Sequence, residues 1–146
     1  MILDILRPYK EQKDFSLALD HSPYAKMMGF HLESKAGVLR TKMKFNNDHI
    51  GAPFPPVLHG GTVASLMESA ALMQLIWDTH LKSMPTTVDI NIDYLRSGQP
   101  IDTYARARLY RIGRRFATMH VEAWQDNREK PIASAMLHFL MKGQGE

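Results

Sequence analysis

One acidic residue stands alone in an otherwise uncharged and largely apolar stretch of the sequence. Residues 58–77 read LHGGTVASLMESAALMQLIW, and Glu68 is the only Asp, Glu, Lys or Arg among them. Apolar and small residues cover almost the whole circumference of a helix with this sequence, which predicts a helix buried on nearly all sides. Because a buried carboxylate is costly unless it is paired or used, Glu68 is the first candidate for a functional residue.

A glycine pair at the start of the same stretch offers a second chemical feature. Gly60 and Gly61 suit a helix start at which the backbone must approach another group closely. The first N–H groups of a helix have no partner within the helix and lie at its positive end, so they can stabilise a developing negative charge. Gly61 and Glu68 are seven residues apart and therefore share a helix face. A carboxylate that activates water on the side of such N–H groups suits the hydrolysis of a carbonyl compound.

The hydrophobic pattern predicts the elements that must position these residues. Residues 1–29 are predicted to form an N-terminal helical segment, with two short helices split near Pro8 and a third that starts at Ser22 and ends at Gly29. A rigid, proline-rich loop is expected at 46–57. Two-residue alternation predicts strands at 30–35, 38–45 (a hairpin around Ala36-Gly37), 86–95, 103–111, 116–125 and 132–141, before a polar tail at 143–146.

The long helix decides the expected architecture. A helix that is apolar all round needs a sheet curved about it, so we expect an α+β protein in which an antiparallel sheet wraps one central helix. Residues 1–146 are expected to form a single domain. One such sheet has open edges and cannot fully cover the helix, so we also expect a homo-oligomer.

The amino-acid composition excludes several classes of function. The sequence has no cysteine, which excludes disulfides, a catalytic thiol and thiolate metal sites and is typical of a reducing cytoplasm. The net charge is only +3 and no basic run is long, so no nucleic-acid partner is expected. Asp4 interrupts the apolar residues of the N-terminus and residues 58–77 are too polar for a span, so neither a signal peptide nor a membrane helix is expected. His120 and His138 have no partner at ligand spacing, so no metal site is predicted.

Three motifs with consistent spacing resemble the hotdog-fold thioesterases of the phenylacetate-degradation (PaaI) type, over about residues 30 to 142. They are the run Leu58-His59-Gly60-Gly61, Glu68 nine residues after the histidine, and the later run TVDINIDYL at 87–95. The resemblance implies the hotdog fold, an active site at a dimer interface, and hydrolysis of thioesters of coenzyme A (CoA). CoA is part of the substrate, and no separate cofactor is implied.

The resemblance also implies roles for individual residues. Glu68 stands where the family has an acid, often Asp, that acts as general base or nucleophile. The Gly60 N–H would polarise the thioester carbonyl, with Gly61 beside the substrate. Thr87 stands where a hydroxyl residue of the facing protomer orients the acid or its water. His59 either caps the helix or contacts the substrate.

Two further features follow from the comparison with the family pattern. The family asparagine that precedes the His-Gly-Gly run corresponds here to Ala52, and Asn46, Asn47 or His49 are candidates to replace it. Arginines at strand ends suit the phosphates of CoA, although such residues are more often a solvated face. The candidate phosphate-binding residues are Arg96, Arg111, Arg114 and Arg115, with Gly113 as the glycine of the hairpin turn.

Two other functions remain open on the sequence. A hotdog hydratase or dehydratase would need a His and Asp constellation, and no such pairing is evident near the loop or the helix. A catalytically silent acyl-CoA-binding protein is consistent with the replacement of the asparagine by Ala52. The principal prediction is an acyl-CoA thioesterase that works as a homodimer or a dimer of dimers.

Overall fold

The computed structural model describes residues 2–35 and 38–142, and it shows one long helix packed on an antiparallel sheet. The helices are α1 (Ile2–Glu11), α2 (Pro23–Met28) and α3 (Gly60–Asp78), with short 3₁₀ helices at Ala18–His21 and Asn47–His49. The strands are β1 (Phe30–Lys35), β2 (Val38–Met43), β3 (Ile50–Pro53), β4 (Pro56–Leu58), β5 (Thr86–Tyr94), β6 (Thr103–Ile112), β7 (Phe116–Trp124) and β8 (Ala133–Leu140). The turn predicted at Ala36-Gly37 and the tail predicted at 143–146 lie outside the described residues.

Six strands form one antiparallel sheet in the order β1-β2-β6-β7-β8-β5, so β1 and β5 are its edges. The burial of side chains follows the pleat: in β8, residues at alternate positions are buried and those between them are half-buried. No residue of β5 is fully buried, because this strand has a neighbour on one side only. Strand β5 is therefore an open edge that another strand can pair with.

The long helix α3 is enclosed as its composition predicts. None of residues 62–77 is exposed, although the helix carries apolar side chains around its whole circumference. Eight of its side chains are fully buried: Val63, Leu66, Met67, Ala70, Ala71, Met73, Leu75 and Ile76. The predicted α+β architecture, a helix covered by an antiparallel sheet, is confirmed, and it is the hotdog fold.

The N-terminal segment also packs on α3, which the sequence pattern did not reveal. Phe15 is fully buried and its ring lies 5.4 Å from that of Trp77, centroid to centroid. The hydroxyls of Tyr24 and Ser65 are hydrogen-bonded at 2.7 Å. The segment thus covers part of α3 in addition to the sheet.

One helix boundary in this segment was predicted wrongly. Pro8 lies inside α1, which continues to Glu11 and is not split. Pro8 is exposed and lies seven residues into the helix, where its ring removes one backbone N–H without ending the helix. The predicted bounds of α2 are confirmed: the Ser22 hydroxyl accepts a hydrogen bond from the Ala25 N–H, and Gly29 ends the helix with a positive φ of 71°.

Lys10 of α1 binds the C-terminal end of α3. Its Nζ donates a hydrogen bond to the Ile76 carbonyl at 3.0 Å and a second one to the Thr79 carbonyl. These carbonyls lie at the negative end of the helix, where a cation is stabilising. Burial lowers the pKa of Lys10, and the nearby Asp78 acts in the opposite direction.

We expect Lys10→Met to lower the free energy of unfolding by about 1–2 kcal/mol, because both carbonyls lose a charged donor. Urea unfolding at a fixed protein concentration, followed by circular dichroism, measures this change. Lys26→Met, on an exposed position of α2, is the matched control and should change the stability by less than about 0.5 kcal/mol. Equal effects of the two substitutions would show that the contact with α3 contributes nothing.

The segment predicted as a loop at 46–57 contains regular structure. After the 3₁₀ helix, β3 and β4 form a separate two-stranded sheet, with Pro53 opposite Pro56. Prolines are tolerated here because no further strand needs their missing N–H groups. The hairpin leads directly into His59 and α3.

Within the described residues, no helix is both long and apolar enough to cross a membrane.

Candidate active site

His59 shapes the entrance of α3. It is the N-cap of the helix, and its Nδ1 accepts a hydrogen bond from the Gly61 N–H at 2.8 Å. The Thr62 N–H is bonded to the His59 carbonyl. Because the Gly60 N–H is the first of the helix and has no partner within it, Gly60 is the residue whose N–H is left for a ligand. The capping role of His59 is thus observed, and its catalytic role stays a prediction.

The space beside Gly60 is narrow because of a close neighbour. The Tyr94 hydroxyl donates a hydrogen bond to the Gly60 carbonyl at 2.8 Å. A Cβ on residue 60 would lie 3.1–3.2 Å from atoms of the Tyr94 ring. Tyr94 therefore helps to position the helix entrance, and sequence reasoning recognised it only as a strand residue.

Glu68 meets Thr87 at the middle of α3. The Thr87 hydroxyl lies 3.5 Å from Glu68 Oε1, at the long limit of a hydrogen bond, and both residues are half-buried. Both belong to the same chain, so the expectation that Thr87 reaches Glu68 from a facing protomer was wrong. The predicted pairing of an acid with a hydroxyl is nevertheless present.

A β-bulge in β5 turns Thr87 toward Glu68. Thr87 is opposite Phe139 and Asp89 is opposite His138, so Val88 is an extra residue in the ladder. Phe139 is buried on the inner face of the sheet, whereas Asp89 Oδ1 and His138 Nδ1 are hydrogen-bonded at 2.7 Å on the outer face. In a regular strand Thr87 and Asp89 would share one face. The bulge places them on opposite faces, as bulges near active sites often do.

Gly60 and Glu68 of one chain are too far apart to act on the same carbonyl group. Eight residues separate them, which corresponds to about 12 Å along the axis of α3. The predicted oxyanion donor and the predicted acid therefore lie at two separate places in the chain, which we call the two half-sites.

The first half-site is a cleft of about 440 Å³ beside the helix entrance. Gly60, Tyr94 and Arg96 line it, together with apolar residues of β4 and α3. Of the four arginines predicted to bind phosphate, only Arg96 lies in this half-site.

The other predicted phosphate-binding residues lie near the second half-site, that of Glu68 and Thr87. Residues Ile112, Ala117, Phe139 and Thr87 are successive partners in one row across the sheet. Three strand spacings, or about 14 Å, therefore separate Thr87 from the β6–β7 hairpin, which carries Arg111, Gly113, Arg114 and Arg115. All four are exposed, and the Gly113 N–H bonds to the Phe116 carbonyl across the turn.

Strand β5 separates Arg96 from these three arginines. Thr87 lies near its start and Arg96 follows its end, and its nine residues span about 30 Å. The four arginines therefore divide between the two half-sites, and their binding of phosphate stays a prediction.

Two of the residues considered as substitutes for the family asparagine have hydrogen-bond partners in the approach to α3. The Asn46 side chain caps the 3₁₀ helix by accepting the Asp48 N–H, and the buried His49 accepts the Asn46 N–H through Nδ1. The His49 carbonyl accepts the His59 N–H at 2.8 Å. Ala52 is exposed on β3. Asn46 and His49 thus support the approach to the helix entrance, and the role suggested for Asn47 stays a prediction.

The long buried helix on its six-stranded antiparallel sheet, with a glycine entrance and an acid in the middle, defines a hotdog-fold protein. The sequence of this helix and of the strands that follow it also matches a family model. The chain belongs to the Thioesterase superfamily, whose family model matches residues 56–132. The predicted PaaI-type resemblance and the prediction of a thioester hydrolase are thereby confirmed.

Comparisons with individual proteins agree with this assignment. The chain is 27% identical to the medium/long-chain acyl-CoA thioesterase YigI of Salmonella typhimurium, over 83% of this chain and 86% of that protein. It is 35% identical to a protein of Chromobacterium violaceum of known structure, with a TM-score of 0.76 and coverage of 96% and 98%. A putative thioesterase of Ralstonia eutropha, described as phenylacetic acid degradation-related, shares the fold with a TM-score of 0.74, 21% identity and coverage of 86% and 98%.

Proposed function

We propose that the protein hydrolyses acyl-CoA thioesters to a free acid and CoA, at a site shared by two protomers. The observation that supports this proposal is the separation of about 12 Å between Gly60 and Glu68 in one chain. A single carbonyl group can contact both an oxyanion donor and an acid only if they come from different chains.

The open edge of the sheet offers a way to bring the two half-sites together. Two copies of β5 can pair in antiparallel fashion about a two-fold axis. The Tyr94 end of one copy then lies next to the Thr86 end of the other. This pairing would bring Gly60 and Arg96 of one chain toward Glu68 and Thr87 of its partner. The functional unit is therefore a homodimer, and two dimers could associate further.

Glu68 would act as a general base in the reaction. Its carboxylate takes a proton from water while the water oxygen bonds to the thioester carbonyl carbon. The negative charge that develops on the carbonyl oxygen is stabilised by the Gly60 N–H of the other chain. The C–S bond then breaks, and the CoA thiolate receives the proton. Thr87, which donates toward Oε1, holds the carboxylate in position.

Direct attack by Glu68 on the carbonyl carbon is the second possible route. It would give a mixed anhydride and CoA, and water would then hydrolyse the anhydride. The same residues serve both routes, and neither needs a cofactor. Label in the Glu68 carboxylate after a single turnover in labelled water would demonstrate the anhydride route with water attack on the Glu68 carbonyl carbon, since the general-base route places label only in the released acid.

The substrate class rests on the relatives and on the charges of the two half-sites. The relative YigI is named a medium/long-chain acyl-CoA thioesterase, and Val57, Leu58 and Val63 in the cleft at the helix entrance offer apolar contacts for an acyl chain. Arg96 and the hairpin arginines supply cations for the CoA phosphates. Cysteine is absent from the sequence, which supports a cytoplasmic location.

Release of a free thiol from a panel of acyl-CoAs tests the function directly. We expect the protein to hydrolyse the acyl-CoA of at least one acyl chain length at a rate well above that of the uncatalysed reaction. Binding of acyl-CoA without thiol release would instead favour the catalytically silent binder, for which the Ala52 replacement is the only argument.

We expect the double substitution Arg114→Ala/Arg115→Ala to raise KM for acyl-CoA more than it lowers kcat. Contacts to phosphates far from the reacting carbon stabilise substrate and transition state alike. Since both side chains are exposed, the increase in KM should be modest, about 3- to 10-fold. The kinetics with an N-acetylcysteamine thioester, which lacks the nucleotide, should not change. An equal loss on both substrates would show that the arginines support the fold instead.

A further inference from the structure

A second cleft lies at the C-terminal end of α3, far from the helix entrance. It has a volume of about 380 Å³ and is formed by α1, the end of α3 and the turn that follows. Ile76, at the cleft, is eight residues or about 12 Å beyond Glu68 and 16 residues or about 24 Å beyond Gly60 along the helix. The cleft is therefore separate from both half-sites of the candidate active site.

The floor of this cleft is apolar. Leu6 and Ile76 are buried in the core, and Leu3 and Leu81 are half-buried beside them. The volume is at the lower end of the range for small-molecule sites, which is about 300–1,000 Å³. The floor thus suits a hydrocarbon chain of moderate length.

The rim of the cleft is cationic. Lys10 and Lys82 line it together with Arg7. Lys10 uses two of its three N–H groups on the carbonyls of Ile76 and Thr79, so one remains for a ligand oxygen. Lys82 is exposed.

The acidic groups near the rim have partners of their own. Asp4 accepts a hydrogen bond from Arg7 at 2.9 Å, and Asp78 accepts one from Gln74 Nε2 at 3.0 Å. Lys10 also counters the negative end of α3, which would otherwise repel an anion. The charge of Lys10 is thus partly compensated by Asp78 and by the helix end, and the exposed Lys82 supplies further positive charge that can act on a ligand.

From the apolar floor and the lysine rim, we infer that this cleft binds a free carboxylic acid with an alkyl chain of medium length. The chain lies on Leu3, Leu6 and Ile76, and the carboxylate meets Lys10 and Lys82. Such an acid belongs to the same chemical class as the acid that the proposed hydrolysis releases. The site is nevertheless independent of that reaction, because it needs no thioester and no second protomer.

Trp77 provides a reporter for this site. It follows Ile76 directly, and the chain has only one other tryptophan, Trp124. In a Trp124→Phe background, the fluorescence of Trp77 therefore reports on the end of α3. Titration with decanoate is expected to give a saturable change with one site per chain. Decanol, which lacks the charge, and acetate, which lacks the chain, should each bind at least about 10-fold more weakly.

Two substitutions with matched controls locate the site. Leu3→Trp fills the floor and Lys82→Glu reverses the rim charge, and each should raise the Kd for decanoate about 10-fold or more. Ile5→Trp, at an exposed position of α1, and Lys26→Glu, on α2, should leave the Kd within about twofold of its original value. Isothermal titration calorimetry measures the Kd of all four variants, because the added tryptophans would obscure the fluorescence of Trp77, and circular dichroism checks that the variants are folded.

The outcomes separate this proposal from the proposed function. Decanoate binding that survives both Leu3→Trp and Lys82→Glu, or that decanol matches, would overturn the assignment of the cleft. The absence of any saturable binding of decanoate would also overturn the assignment of the cleft. Thioester hydrolysis is measured in parallel, and its absence in the unsubstituted protein would contradict the proposed function without affecting the titration.

Discussion

Glu68→Gln is expected to lower kcat/KM for acyl-CoA hydrolysis by about 10²-fold or more, because the substitution removes the only acid among the enclosed residues 62–77 of α3. Glutamine has nearly the same shape and can still accept a hydrogen bond from Thr87. It cannot take a proton from water, nor can it act as a carboxylate nucleophile. The variant should therefore remain folded and keep its oligomeric state while it loses activity. Thiol release and sedimentation measure the two properties.

Glu122→Gln is the matched control for this experiment. Glu122 is half-buried on β7, opposite Arg106, and lies on the outer face of the sheet away from Glu68. Its substitution makes the same chemical change and should leave the rate within about twofold of the original. Activity of Glu68→Gln within about threefold of the unsubstituted enzyme would exclude Glu68 as base and as nucleophile.

A mixture of two inactive variants is expected to regain activity, because the proposed site combines residues of two chains. The first variant is Glu68→Gln. The second is Gly60→Pro, which removes the N–H of residue 60 while proline remains acceptable at the first position of a helix. Loss of an oxyanion donor should lower kcat by about 10²- to 10³-fold.

The expected recovery follows from counting sites in a two-fold dimer. With random pairing, half of the dimers contain one chain of each kind. Each of these has one site with an intact Glu68 and an intact Gly60, and one site that lacks both. The mixture should thus recover about a quarter of the original activity after the chains are unfolded together and refolded.

Two controls make this result decisive. Gly60→Ala keeps the N–H but places a Cβ against the Tyr94 ring, so it measures the effect of the steric contact alone. Each inactive variant is also unfolded and refolded alone, which shows whether refolding by itself changes the activity. If the mixed sample stays as inactive as its parents, the acid and the oxyanion donor do not come from different chains.

Much of the fold could be predicted because it is encoded locally. The composition of residues 58–77 predicts a helix that must be enclosed, and the two-residue alternation of the strands predicts the sheet that encloses it. The ends of α2 follow from Ser22 and Gly29, which act within one or two turns. Glu68 was identifiable for the same reason, since an acid in an apolar helix is visible without knowledge of any distant contact.

The tertiary structure decided the features that depend on pairing between distant segments. Alternation along β5 puts Thr87 on the same face as Asp89, and only the bulge at Val88 turns it toward Glu68. A bulge reflects how a strand fits its neighbour, so it leaves no clear mark on the strand's own pattern. The pairing of β3 with β4 was hidden in the same way, because its prolines indicate a loop when each strand is considered alone.

The division of the site has the same physical origin. The sequence shows four arginines near strand ends, but only the strand order places Arg96 at one end of β5 and the β6–β7 hairpin toward the other. Lys10 likewise reaches carbonyls 66 and 69 residues away, a contact that no local pattern indicates. Short-range periodicity thus determined which residues share a face, whereas strand register and long-range packing determined which of those faces meet.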